Sequence, residues 1–137
     1  MAREYINRAS RTLSEAKEAL KAGDNALAIR RAQETVELSL KAAMRFMAIE
    51  YPREHDLAGI LQEVANLRRL PSWFEAEIPF MASVSRDLAR KRGLAFYGDE
   101  AALRPPSSIF TEEDANRALR DAERVHQNCR RLLEGSP

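Results

Sequence analysis

Residues 24–50 read "DNALAIRRAQETVELSLKAAMRFMAIE", and the recurrence of their apolar side chains decides the fold. Ile29, Ala32, Val36, Leu40, Ala43 and Met47 return at spacings of three and four, which places them on one face of an α-helix. Ala28, Ala42 and Phe46 are apolar on another side, so this helix is nearly enclosed by neighbours. Asp24 is a good N-cap, and Pro52 pushes Tyr51 toward extended backbone. The spacing predicts a long central helix from Asp24 to about Glu50. Gln33, Glu37 and Lys41 are successive i,i+4 neighbours flanking the apolar stripe. They read either as the polar wall of a site or as an ordinary Glu–Lys helix pair. Gln33 lies only about 40° of helical rotation from Ile29, which predicts that it is drawn inside and hydrogen-bonded, because an unsatisfied buried amide costs about 1–3 kcal/mol.

The rest of the chain supplies the neighbours. Ile6, Ala9, Leu13, Ala16 and Leu20 mark a first helix from about Ala2 to Ala22, ended by Gly23. "HDLAGILQEVANL" reads as a short third helix with Asp56 as its N-cap. A fourth runs from about Ser72 to Arg92, with Pro79 predicting a kink or a later start and Gly93 or Gly98 closing it. The basic run Arg86, Arg90, Lys91 and Arg92 reads either as cations complementing the negative end of that helix dipole or, leading into Tyr97 and the proline-rich loop, as a place for a phosphate-bearing ligand. "YGDEAALRPPSS" has no apolar period and reads as one long loop. Thr111 with Asp114 resembles a capping box opening a last helix that runs to about Leu133. The expected architecture is all-α: an up-and-down bundle of four to five helices, one domain over residues 1–137, with a long loop before the last helix.

Composition narrows the function. One cysteine excludes an internal disulfide, and two histidines with one cysteine offer no zinc-ligand spacing, so neither metal nor cofactor is expected. No apolar run reaches membrane-spanning length, and a soluble cytoplasmic protein is expected. The positive residues are 18 Arg and 4 Lys, yet the net charge is only +1. Guanidinium groups favour phosphate and carboxylate recognition, whereas the overall balance lacks the strongly basic footprint of a nucleic-acid binder.

Near the end of the chain, "RDAERVH" raises the question of RNA cleavage, with Arg120, Asp121 and His126 as the candidate catalytic set. His126 falls on the apolar face of the last helix with Val125 and Cys129, while Arg117, Arg120, Arg124 and Arg131 cluster on the opposite face. On a straight helix Arg120 and His126 are about 120° apart. Arg117 and Asp121 have the spacing of an i,i+4 ion pair.

The central helix resembles the signature helix of the HEPN family, the higher eukaryote and prokaryote nucleotide-binding domain. Ala28, Ala32, Gln33, Glu37, Lys41 and Ala42 match that family's "A-x-x-x-A-Q-x-x-x-E-x-x-x-K-A" pattern. "HDL" at His55–Leu57 matches its third-helix start, and "FYGDEAALRPPSSIFTEEDANRAL" resembles its tyrosine loop and final helix. Where relatives often read Arg-Tyr-Pro, this chain has Tyr97 followed by Gly98. The resemblance implies a helical bundle that commonly dimerises and partners a minimal nucleotidyltransferase in a toxin–antitoxin-type pair. It also implies a nucleotide ligand, with Gln33, Glu37, Lys41, His55 and Tyr97 as the ligand- or partner-binding residues. Some branches are instead metal-independent ribonucleases with an R-x4-6-H motif at a dimer interface. Arg120, Asp121 and His126 match that motif, although the tyrosine that often follows the histidine by two is Asn128 here.

Overall fold

Asp24 caps the central helix: its Oδ1 accepts from the Leu27 backbone N–H at 3.1 Å. In the computed structural model, which describes residues 1–50, 57–67 and 69–135, that helix is α2 (Asn25–Phe46), preceded by α1 (Ala2–Lys21). After it come α3 (Leu57–Leu67), α4 (Ser72–Tyr97), the single turn α5 (Pro106–Ile109) and α6 (Glu112–Leu133). The architecture is the expected all-α bundle. The predicted cap Asp56 and its neighbour His55 lie outside the described residues.

α2 is the spine: α1, α4 and α6 all pack against it, while α3 leans mainly on α4 and α5 bridges α4 and α2. Alanines allow this crowding. Ala9 and Ala16 on α1, Ala28, Ala32, Ala42 and Ala43 on α2, and Ala115 and Ala122 on α6 are all fully buried. Ile29, Val36, Leu40 and Met44 fill the seams with Phe74, Met81 and Leu88 of α4 and Val125 of α6. Each such side chain contributes about 1.5–3 kcal/mol on leaving water. Two stripe positions depart from expectation. Leu20 is only half-buried while Ala19 is buried, and Phe46 is exposed.

α2 stops short of Glu50 because Ala48 turns to φ +57°. The Ile49 N–H then bonds the Met44 carbonyl at 2.9 Å and the Ala48 N–H bonds the Arg45 carbonyl at 3.0 Å. This is a Schellman lock. The same lock ends α1, with Gly23 at φ +77° and the Asp24 N–H on the Ala19 carbonyl at 2.9 Å.

α4 is longer than the pattern predicted. It starts at Ser72, carries Pro79 inside, passes Gly93 and ends at Gly98. Tyr97 is therefore the last residue of a helix rather than part of a loop. The residues beyond Gly98 are ordered by their own hydrogen bonds: Asp99 and Arg104 exchange two between their backbones, each 2.8 Å long, and the Asp99 carboxylate accepts from the Ala102 N–H. The long loop thus reduces to a closed turn leading into α5. α6 opens with the predicted capping box, Thr111 Oγ1 accepting from the Asp114 N–H and the Asp114 carboxylate from the Thr111 N–H. That backbone bond from Thr111 holds the Asp114 carboxyl below its usual range. Among the described residues no helix is long and apolar enough to cross a membrane.

Candidate functional site

The extension of α4 changes the meaning of its basic run. Arg86, Arg90, Lys91 and Arg92 lie before the last turn, which contains no basic residue. The helix dipole falls off within one turn, so these cations do not serve the helix end. They line an open groove of about 1290 Å³ between α2, α4 and α6.

α2 supplies one wall. Gln33 is 9% exposed, and its Nε2 donates to Glu37 Oε2 at 3.2 Å; Lys41 Nζ stands 3.0 Å from Glu37 Oε1. The i,i+4 spacing stacks these three side chains on one helix face, and each member satisfies the next. Burial alone would raise the Glu37 carboxyl, but the Lys41 ammonium, the Gln33 amide and the Arg92 guanidinium together hold it below the usual range. α4 supplies a second wall through Ser83, Asp87 and the cations. Asp87 accepts from Lys91 at 2.8 Å and from Arg90 at 3.4 Å. α6 supplies the third through Arg117 and Asp121. In all, five cations face three carboxylates. A near-neutral protein thus carries a local positive excess, where guanidinium groups can hold phosphate.

Asp121 did not pair as its spacing predicted. No hydrogen bond or ion pair reaches its carboxylate among the described residues. Burial pushes its carboxyl up; Asp87 adds to that, against the pull of Arg117, Arg120 and Lys91.

The structure divides the predicted residues into separate places. Gln33, Glu37 and Asp121 come together in the groove, with Lys41 bound behind Glu37. Arg120 is exposed on α6, outside the residues lining the groove. His126 is 5% exposed and faces α1, where its Nε2 lies 2.9 Å from Ser10 Oγ. The Ser10 Oγ also lies 3.1 Å from the Ile6 carbonyl oxygen, to which its hydroxyl can donate. One chain therefore does not assemble Arg120 and His126 into a catalytic pair. Burial and the nearby Arg130 and Lys17 keep the imidazole below its ordinary pKa, against the Ile6 carbonyl and Glu123, which favour the charged ring. Tyr97 is 66% exposed beside Phe96 at the end of α4, outside the groove lining. His55 is outside the described residues.

Sequence reasoning missed Asp87 and Arg117 as groove residues, and it set the basic run containing Arg92 beside the Tyr97 loop rather than facing α2 and α6. One signal was available: Ser83, Arg86, Asp87 and Arg90 repeat at helical spacing and mark a polar stripe on α4. Among the described residues no group of three or more His, Cys, Asp or Glu side chains has the geometry to hold a metal ion.

A helical bundle whose central α2 presents Gln33 and Glu37 to a basic groove, with Lys41 paired to Glu37, defines a recognisable class. The family model described as "HEPN domain" matches residues 2–132, and the chain belongs to the HEPN domain family. The fold is also that of the crystal structure of ST0689, an archaeal HEPN homologue, with a TM-score of 0.65 and 22% sequence identity over 97% of this chain and 98% of that one. No curated protein matches the sequence closely.

Proposed function

We propose that this HEPN domain is a dimeric, cytoplasmic module that binds a nucleotide in the α2–α4–α6 groove and acts with a partner nucleotidyltransferase in a toxin–antitoxin-type pair. The observation that carries the reading is the groove itself: the Gln33–Glu37–Lys41 chain opposite Arg92 and Arg117. Guanidinium groups take the phosphates, and the Gln33–Glu37 wall offers polar contacts beside apolar Val36. Partner docking draws on a second surface. Of the six exposed large hydrophobic residues among those described, four fall between Leu94 and Leu103, including Phe96 and Tyr97, and Arg30 stacks over Phe96 at 4.2 Å. Aromatic and arginine anchors of this kind are enriched at interfaces.

Calorimetric titration of the purified protein with ATP tests the ligand, and co-purification from the native host tests the partner. The reading expects saturable ATP binding that Arg117→Ala weakens, and recovery of a nucleotidyltransferase. No heat at millimolar ATP would reject the ligand, and recovery of the protein alone, with no nucleotidyltransferase in its operon, would reject the partner. The ribonuclease alternative through Arg120, Asp121 and His126 requires the His126 ring to leave Ser10 and reach RNA across a dimer interface. Its burial against α1 weighs against that use.

A further inference from the structure

The three carboxylates of the groove are not equivalent. Glu37 is satisfied by Gln33 and Lys41, and Asp87 by Lys91 and Arg90. Asp121 lines the same space, is half-buried, and receives no hydrogen bond or ion pair among the described residues. Arg92 and Arg117 line that space too, likewise without an ion pair or hydrogen bond among the described residues. The groove thus offers two guanidinium groups and one carboxylate that act on their neighbours only at longer range, Arg92 on Glu37 and Arg117 on Asp121, with no direct hydrogen bond or ion pair among the described residues.

A bare polyanion would answer only the first. Brought to the cations, it would meet the Asp121 charge at close range, in a place where loss of water already disfavours that charge. A partly desolvated carboxylate is stabilised by neutral donors, and hydrogen bonds to a charged acceptor are stronger than those between neutral groups. A ligand that joins phosphate to hydroxyl groups satisfies both sets at once.

We propose that Asp121 accepts hydrogen bonds from the sugar hydroxyls of a phosphorylated ligand, so that the groove selects a ribonucleotide over an inorganic polyphosphate. This rests on the reading of the groove as a nucleotide site. Asp121 is a specificity-determining residue in this assignment, and Arg92 and Arg117 supply the phosphate affinity.

The test is calorimetric titration of the wild-type chain, Asp121→Asn and Asp121→Ala with ATP, 2′-deoxyATP and tripolyphosphate. Circular dichroism confirms that the variants fold, as expected when a side chain without internal bonds is replaced. In the wild type, ATP binds roughly tenfold more tightly than 2′-deoxyATP, the loss expected for a hydrogen bond to a charged group. Both variants lose about that factor for ATP and bind tripolyphosphate as well as the wild type or better. Equal wild-type binding of ATP and 2′-deoxyATP, or variants that leave ATP affinity unchanged or raise it, would overturn the assignment while leaving the nucleotide site standing. Absence of wild-type binding to ATP would remove the nucleotide site, and the assignment with it.

Discussion

His126 and Ser10 stand 2.9 Å apart, Nε2 to Oγ, across a separation of 116 residues. This contact ties α6 to α1, and burial of the ring beside it lowers the imidazole's pKa below its ordinary value. The unfolded chain, with a histidine near its ordinary pKa of about 6.5, binds the proton more readily than the folded one. The contribution of neutral His126 to stability is therefore present above that value and is lost as pH falls from it toward the folded-state pKa. Urea unfolding at pH 7.5 and 5.5 should show a lower midpoint at the acid value. His126→Asn should abolish that part of the pH dependence; an unchanged dependence would assign it to other groups.

Gln33→Leu removes the amide that Glu37 holds at 3.2 Å and leaves Lys41 as the described partner of that carboxylate. The helix interior tolerates leucine well, so far-UV circular dichroism should be unchanged and stability should move by no more than about 1 kcal/mol. Nucleotide affinity or dimerisation should fall instead. Loss of helicity without loss of binding would assign Gln33 to the fold alone.

Gly98 closes α4 at φ +77°, and a Cβ there would lie 2.3 Å from the Arg104 carbonyl oxygen. Neither strain nor clash can relax without opening the Asp99–Arg104 turn. Gly98→Ala should therefore cost about 1–3 kcal/mol, read as a lowered melting temperature, with raised amide exchange at Asp99 and Arg104.

Ala48 stands where α1 uses Gly23: both are left-handed residues in Schellman locks, at φ +57° and +77°. A Cβ disfavours that conformation by about 1–2 kcal/mol. Ala48 is exposed, so Ala48→Gly should stabilise the protein by about 1 kcal/mol after the added entropy of the unfolded glycine. A melting temperature that fails to rise would mean that its side chain contributes packing there.

Local physics made several features readable from the chain alone. The Asp24 cap and the Thr111–Asp114 capping box are bonds between residues three apart, and the helical spacing of α2 marks both its apolar stripe and the place of Gln33 at the stripe's margin. The chain offered both Gly93 and Gly98 as the end of α4, and local pattern could not choose between them: Gly93 sits in helix while Gly98 ends it. Glycine lowers helix propensity but does not by itself stop a helix; α4 ends where Gly98 turns to φ +77°, and the Arg104 carbonyl beside it leaves room for glycine alone.

Partners distant in sequence account for the remainder. Periodicity placed His126 on an apolar face, but Ser10 on α1 fixes its ring there. Spacing offered Asp121 to Arg117, yet the packing of α2 and α4 against α6 turned it toward a groove shared with Gln33 and Glu37. Helical repeat tells which side of a cylinder a residue occupies. Which cylinder faces that side, and at what distance, depends on how all the helices bury their apolar surfaces together.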